Sequence, residues 1–160
     1  MGRETPEPQW LDAEEQHTWR QCLHASRLLE AVLDRKLVAH GLQLSYYEII
    51  AILSEHPDRR LRMSTIADQV VQSRSWVTHA AGRLESRGWV RREFSVGDRR
   101  GVDLVLTEAG YAEVVRIAPI HARSVHENLV NPLSREDFRA LGRIMAVVGR
   151  AIQNAESQSL

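Results

Sequence analysis

The chain has 160 residues, and its 21 basic residues balance its 21 acidic ones. No run of apolar residues approaches the ~20 that span a bilayer, and a single cysteine excludes an internal disulfide. The first ten residues lack the apolar core of a secretion signal. We therefore expect one cytoplasmic globular domain, preceded by a flexible arm at residues 1–11 that contains two prolines.

The neutral total hides a segregation of charge along the chain. Residues 59–101 hold ten arginines against four acidic residues, a net charge of +6, and the remainder carries −6. A local positive field attracts a polyanion whatever the total charge is. This third of the chain is therefore a candidate to bind nucleic acid, with a solvated arginine-rich face as the alternative.

The first predicted element is a long helix. Apolar residues recur at spacings of three and four from Asp12 to about His40, and Gly41 is a plausible stop. A helix of about 27 residues is long for a globular protein, and a helix of this length often reaches a partner subunit.

A second, shorter helix is predicted to follow. The segment SYYE at 45–48 is typical of a capping box, in which Ser45 and Glu48 exchange hydrogen bonds. The helix is expected to end before Pro57. The residues PDRRLR that come next predict a polar connection.

Two short helices separated by the residues VQS come after this connection. Ser64 is expected to cap the first, and Ser73 the second, which ends at Gly88. Two short helices with a tight turn between them are typical of a helix-turn-helix.

The periodicity then changes from that of a helix to that of a strand. WVRREFS (89–95) and VDLVLT (102–107) alternate, with VGDRRG between them, which predicts a two-stranded hairpin with a charged tip. A tight two-residue turn favours Asn-Gly or Asp-Gly. Arginines at this tip indicate that something outside the fold binds them.

Two helices are predicted to close the chain. Thr107 is expected to cap a helix that reaches about Asn128, with a kink or break at Pro119. Ser134 and Asp137 are expected to cap the last helix. Its apolar positions recur at helical spacing: Phe138, Leu141, Ile144, Met145, Val148 and Ile152.

A helix-turn-helix followed by a hairpin is the winged-helix arrangement, here mainly α with a small β-hairpin wing. The second helix of such a pair enters the major groove, where its first turns meet base edges. Arg83 and Arg87 are better placed for phosphates or ion pairs. The residues expected to contact bases or phosphates are Arg74, Ser75, Thr78 and His79.

The arginines at the hairpin tip fit a different part of the duplex. A narrow minor groove has an enhanced negative potential that attracts an inserted arginine, and Arg99 and Arg100 are the candidates. Asp98 is expected to hold one arginine by a charge-assisted hydrogen bond. A solvated turn is the alternative for both arginines.

The sequence resembles the MarR family of bacterial transcription regulators over roughly residues 15–155. The resemblance is carried by LSYYEIIAIL, MSTIADQVVQSRSWVTHAAGRLESRGWVRR and GDRRGVDLVLTEAG, followed by two helices. It implies an obligate homodimer whose first and last helices, 12–42 and 108–156, interlock around a winged DNA-binding region at 43–107. It further implies a repressor of double-stranded, pseudo-palindromic operators that is released by a small molecule.

The resemblance also bears on single residues. It implies that Asp98 and Arg100 match the Asp-x-Arg motif of the family's wing. Trp76 departs from the small or basic residue usual at its position, and it is expected either to stack on a DNA sugar or thymine methyl or to pack on the wing. The effector pocket would lie between the dimerisation and DNA-binding parts, with candidates Trp19, Tyr46 and Tyr47.

Two other functions remain open at this point. Some relatives sense peroxide with a cysteine early in the first helix, but Cys22 is displaced and falls on the apolar stripe, which predicts burial and an inert thiol. The alternatives are thus a redox-sensing regulator through Cys22 and a protein-interaction module that binds no DNA. No motif for catalysis, metal binding or a cofactor is recognisable, so we expect no enzyme.

Overall fold

The computed structural model describes residues 9–95 and 97–158, without the side chains of Arg99, Glu156 and Ser157. Most of the expected flexible arm lies outside these residues. The described part is mainly helical with a small sheet, as predicted. In chain order its elements are α1 (Ala13–Val38), α2 (Leu44–Glu55), β1 (Arg60–Arg62), α3 (Met63–Gln69), α4 (Arg74–Ser86), β2 (Val90–Ser95), β3 (Asp98–Leu106), α5 (Glu108–Val125), a π-helical turn (His126–Val130) and α6 (Arg135–Gln158).

The long first helix is confirmed, with 26 residues in α1. Its start is fixed by Asp12, whose carboxylate accepts hydrogen bonds from the backbone of Glu14 and Glu15, while Glu15 bonds back to the Asp12 N–H. Its end is followed by Gly41, which has a φ of +86°, a left-handed conformation that favours glycine.

The capping box predicted at SYYE is wrong. Helix α2 already begins at Leu44, and the residue before it, Gln43, makes no side-chain cap. Instead Asp34 of α1 accepts a 2.9 Å hydrogen bond from the Leu44 N–H. A carboxylate distant in sequence thus satisfies the helix start. The predicted end before Pro57 is confirmed.

The polar connection predicted at PDRRLR is also wrong, because Arg60–Arg62 form the edge strand β1. The sheet order is β1-β3-β2, with both pairs antiparallel and Leu61 opposite Leu104. Leu61 packs on the core. The predicted two-stranded hairpin is therefore part of a three-stranded sheet, anchored beside the helices by β1.

The helix-turn-helix is confirmed in α3 and α4. Ser73 caps α4, since its hydroxyl accepts a 3.1 Å hydrogen bond from the Trp76 N–H. The predicted cap at Ser64 is wrong, because α3 starts one residue earlier and Arg62 precedes it without a side-chain cap. Between the helices, Val71 has a φ of +52°, which is unusual for a β-branched residue.

The predicted cap of α5 is confirmed, since the Thr107 hydroxyl accepts a 3.0 Å hydrogen bond from the Gly110 N–H. The helix runs unbroken past Pro119, so a break there was wrong. Because proline has no N–H, Pro119 cannot donate the helical hydrogen bond to the carbonyl of Val115. Both residues are exposed, so water can bind this carbonyl instead.

One buried core joins the helix-turn-helix, the sheet and α5. It contains Leu37 of α1, Ile50 of α2, Ile66 of α3, Leu84 of α4, Leu104 of β3 and Ile117 of α5. None of the described side chains of α6 is buried, although Ser134 caps this helix as predicted. No helix in the described ranges is long and apolar enough to cross a bilayer.

Candidate nucleic-acid interface

Helix α4 has one face in the core and one in solvent. Val77, Ala80, Ala81 and Leu84 are at most 1% exposed, so the helix is fixed through this side. The opposite face is exposed, and it carries five of the predicted contact residues: Arg74, Ser75, Thr78, His79 and Arg83. The polar side chains are thus free to meet an external surface.

The carboxylate of Asp98 organises the base of the hairpin tip. It accepts a 3.0 Å hydrogen bond from the Arg100 N–H, and it also forms an ion pair with Arg62. These two donors hold the pKa of Asp98 below its ordinary value, and the Arg100 N–H makes the larger contribution. The arginine side chain that pairs with Asp98 is Arg62 of β1. The sequence had predicted an arginine of the hairpin tip. The backbone of Arg99 lies in β3, and its side chain is outside the described part.

A groove separates the hairpin tip from the start of α4. Its volume is about 330 Å³, and it is lined by Arg62, Arg74 and Arg100 together with Ser64 and Asp98. The structure thus brings Arg74 and Arg100, which are 26 positions apart in the chain, to one feature. Guanidinium groups on both walls suit a phosphate backbone that passes between them.

Arg92 connects the hairpin to the middle of α4. Its guanidinium donates a 2.8 Å hydrogen bond to the carbonyl of Thr78, and its backbone N–H donates to Glu85 at 3.1 Å. Arg92 is not among the site residues that the sequence predicts. The alternation with Val90 was the available signal, because it places Arg92 on the side of the hairpin that faces the helices.

Ion pairs neutralise a large part of the positive charge in residues 59–101. Glu93 forms ion pairs with both Arg60 and Arg91. These contacts lower the pKa of the Glu93 carboxyl, and the hydrogen bond from Arg91 makes the largest contribution. Further pairs are Arg59–Glu108, Arg60–Asp103, Arg62–Asp98 and Arg92–Glu85.

Four exposed arginines of residues 59–101 form no ion pair within the part of the chain that the structure describes. They are Arg74 and Arg83 on α4, Arg87 directly after α4, and Arg100 on the hairpin. Arg87 is hydrogen-bonded to the Gly41 carbonyl instead. Within this basic segment, the positive charge left for a ligand is therefore concentrated on α4 and the hairpin, the two elements that the sequence selected.

Trp76 lies on α4 but turns toward the protein. Its ring packs against Tyr46 of α2, with centroids 6.2 Å apart and planes inclined by 34°, and the side chain is half-buried against the core. Packing on the wing, one of the two sequence interpretations, is therefore not the contact found. The other interpretation, contact with DNA, stays a prediction for the part of the indole that remains accessible.

The three predicted pocket residues lie in different surroundings in the protomer. Trp19 is 52% exposed on α1, and Tyr46 lines a cavity with Arg83 and Arg87. Tyr47 lines another of about 370 Å³, between α2, α3 and α5. Tyr46 and Tyr47 line different cavities because the side chains of neighbouring helix residues point about 100° apart. An effector pocket that uses these residues stays a prediction.

The cavity beside Tyr47 has a polar wall. The ring of His121 lies 4.9 Å from that of Tyr47, and within the described residues its Nδ1 atom has no hydrogen-bond partner. Burial lowers the pKa of His121 and is the main cause that raises the pKa of Tyr47. Glu48 and Glu55 also line this space.

The remaining candidate chemistry concerns Cys22 and metals. Cys22 is exposed, so the predicted burial is wrong for the single chain: this half of α1 carries an apolar stripe that the protomer leaves uncovered. Across residues 9–95 and 97–158, no three His, Cys, Asp or Glu side chains are grouped to hold a metal ion.

The buried α3–α4 pair, the exposed outer face of α4 and the arginine-bearing hairpin define a winged helix-turn-helix protein. The sequence profile of the MarR family matches residues 40–101. Sco3205 from Streptomyces coelicolor, a MarR family transcriptional regulator solved in complex with DNA, is 42% identical, with a TM-score of 0.87 and coverage of 93% of this chain and 94% of that one. The chain belongs to the MarR family of transcriptional regulators.

Two further relatives agree. AbsC from Streptomyces coelicolor, also a MarR family transcriptional regulator, is 36% identical with a TM-score of 0.86, covering 92% of this chain and 99% of its own. The HTH-type transcriptional regulator PecS from Dickeya dadantii (strain 3937) is 28% identical over 130 residues, which are 81% of this chain and 78% of PecS. The relationship thus extends well beyond the helix-turn-helix.

Proposed function

We propose that this regulator represses transcription as a homodimer that binds a pseudo-palindromic DNA operator. The observation that carries the proposal is the position of three exposed arginines that form no ion pair with the described residues, Arg74 and Arg83 on α4 and Arg100 on the hairpin. Arg74 and Arg100 line a groove that suits a phosphate strand. The solved complex of the 42% identical Sco3205 with DNA supports the same role.

Each protomer would contact the duplex with two elements. Helix α4 enters a major groove, where Arg74, Ser75, Thr78 and His79 meet base edges or phosphates and Arg83 meets the backbone. Arg99 and Arg100 reach the neighbouring minor groove, with Asp98 fixing the backbone of the tip. Two protomers would contact half-sites that lie about one helical turn apart.

The dimer would form through residues 12–42 and 108–156, which leaves 43–107 as the DNA-binding region. The support is an exposed apolar stripe on α6, formed by Phe138, Ile144, Met145, Val148 and Ile152. Trp10, Leu11 and Trp19, at and before α1, are exposed as well. An uncovered stripe of this length favours a partner helix in water.

Repression would be relieved by a small molecule. The cavity beside Tyr47 and His121 lies between α2, α3 and α5, where the DNA-binding part meets the helix that leads to α6. A ligand there releases DNA only if it binds more tightly to a dimer whose α4 helices are wrongly spaced. The proposed role involves binding without catalysis, and it places the protein with the chromosome in the cytoplasm.

The proposal is tested with promoter DNA that precedes the protein's own gene. We expect a gel shift that competitor DNA of random sequence does not abolish, and a dimer mass in solution. The double variant Arg74→Ala/Arg100→Ala should lose the shift and keep its fold. A folded protein that ignores this and all other duplexes would instead support the protein-interaction alternative.

A further inference from the structure

The turn between α1 and α2 is held by two arginines from different parts of the molecule. The carbonyl of His40 accepts a 3.0 Å hydrogen bond from Arg116 of α5, and the carbonyl of Gly41 accepts a 2.9 Å hydrogen bond from Arg87. Arg87 is the residue that directly follows α4 and caps its end. The turn after α1 is thus bonded directly to the end of the helix proposed to enter the major groove.

The turn presents these two carbonyls in a fixed geometry. The Gly41 N–H donates to the carbonyl of Val38 at 2.9 Å, and the Leu42 N–H donates to that of Leu37 at 3.2 Å, which is a Schellman motif. Gly41 adopts a φ of +86° to close it. Leu42 is then buried in the core, so the turn has little freedom to shift.

The guanidinium of Arg87 is also fixed from its other side. It lies over the ring of Trp89, 4.8 Å from the centroid. The carbonyl of Trp89 in turn accepts a 3.0 Å hydrogen bond from the Thr107 N–H, and it lies so close to Gly110 that any Cβ there would overlap it. A planar guanidinium held by a ring loses less side-chain entropy on hydrogen bonding.

We propose that Arg87 is a positioning residue that sets the orientation of α4 relative to α1, and thereby the half-site spacing that the dimer accepts. The inference rests on the proposed function. Because α1 belongs to the proposed dimerisation part, the angle between α1 and α4 in each protomer sets the separation of the two α4 helices. The sequence predicts a phosphate contact or an ion pair for Arg87, whereas in the structure its guanidinium donates to the Gly41 carbonyl.

The test measures binding against operator spacing. Wild-type protein first selects its duplex from a random library, and the selected duplex is rebuilt with one or two base pairs added or removed between its half-sites. We expect wild type to prefer one spacing over its neighbours by at least about tenfold, and Arg87→Gln to reduce that ratio below about threefold, because a lost charge-assisted bond is worth about a factor of ten or more.

Arg83→Gln is the matched control, because it removes the same charge one turn earlier on the same helix. It should weaken binding at every spacing and leave the ratio intact. Gly41→Ala changes no charge and disturbs the other partner of the bond, so it should lower the ratio as Arg87→Gln does. Thermal unfolding checks each fold, and Arg87→Lys, with an intermediate ratio expected, replaces Arg87→Gln if that variant unfolds.

The outcomes separate the two proposals. The role of Arg87 is overturned if Arg87→Gln or Arg87→Lys prefers one half-site spacing as strongly as the wild type does, whatever its affinity. It is also overturned if the wild-type protein binds all spacings equally well. A wild-type protein that selects no duplex overturns the proposed function itself, and with it this inference.

Discussion

The guanidinium of Arg92 in the hairpin bonds to the backbone carbonyl of Thr78 in α4 at 2.8 Å. The bond joins the two elements that are proposed to bind DNA, and it uses the main chain of α4, so it does not depend on which side chain occupies position 78. It also places Arg92 against Gly82, where a Cβ would lie 3.5 Å from the guanidinium. The hairpin and α4 are therefore connected directly, through the side chain of Arg92.

Loss of this connection should lower stability. We expect Arg92→Ala to reduce the free energy of unfolding by about 1–2 kcal/mol, because it removes a charge-assisted hydrogen bond and the packing of the arginine stem. Urea denaturation measures the change. Arg91→Ala, which loses only an exposed pair with Glu93, should cost less than about 0.5 kcal/mol. Equal losses in the two variants would contradict the coupling role of Arg92.

Removal of the hairpin arginine should change how DNA binding depends on salt. We expect Arg100→Ala to weaken duplex binding and to flatten the slope of log K against log salt by about one unit, because one positive charge that displaces counterions from the DNA is lost. Fluorescence anisotropy at four salt concentrations gives the slope.

Arg59→Ala is the control for this measurement. Arg59 lies in the same basic segment, but its guanidinium is 3.7 Å from the Tyr111 ring centroid and pairs with Glu108. Its removal should leave the slope unchanged. An unchanged slope in Arg100→Ala would remove the hairpin tip from the interface.

Much of the fold was predictable because its signals are local. The period of α1, the Ser73 and Thr107 caps and the alternation of β2 and β3 each depend on residues within one element. The misses depend on contacts distant in sequence: Asp34 caps α2, and β1 exists only because Leu104, 43 positions after Leu61, supplies its partner strand. A three-residue strand has too few positions to reveal a period.

The sequence predicted which elements form the candidate site, but it did not predict which groups its arginines contact. The sequence selects the outer face of α4 and the hairpin tip, but it cannot assign carboxylates to arginines. Arg62 reaches Asp98 across 36 positions, and Arg87 reaches a carbonyl 46 positions earlier. Cys22 shows a related limit, since an apolar stripe does not tell whether the same chain or another molecule covers it.

The turn before α4 contains a position where glycine should be better than the native residue. Val71 is 86% exposed with a φ of +52°, so it has left-handed strain with little burial to offset it. We expect Val71→Gly to raise the free energy of unfolding by about 1 kcal/mol, as the relief of strain exceeds the entropy that glycine adds to the unfolded chain. Chemical denaturation checks the sign. Gln72→Gly, at the next exposed position, should destabilise; stabilisation by both would point to a cause other than φ.

The partly buried His121 should make stability depend on pH. The pKa of His121 in the folded chain is below its ordinary value of 6.5 because burial disfavours the charged ring. The unfolded chain therefore takes up the proton first, so the contribution is full above about pH 7 and is lost as the pH falls through 6.5 toward the folded value. Tyr47, Glu48 and Glu55 face the same cavity, so His121→Gln isolates the histidine. Between pH 7 and 5, the free energy of unfolding should fall less in His121→Gln than in the wild type. The control His17→Gln, at an exposed histidine, should show the same fall as the wild type.

The apolar stripe of α6 should be required for assembly. We expect Val148→Arg to convert the dimer to a monomer, because a charge in an apolar helix interface is costly to desolvate. Sedimentation equilibrium gives the mass. Arg150→Glu, on the opposite face of the same helix, should stay dimeric. A dimeric Val148→Arg protein would exclude this stripe from the interface.

Hydroxyl-radical footprinting of the wild-type protein on its selected duplex tests the central claim most directly. We predict two protected segments whose centres lie about one helical turn, ~10 base pairs, apart, as expected of two α4 helices in successive major grooves. We also predict protection of the minor groove on the outer side of each segment, where Arg100 is expected to bind. In Arg100→Ala this outer protection should disappear, while the two segments contacted by α4 stay protected. A single protected segment, or flanks that persist without Arg100, would contradict the account.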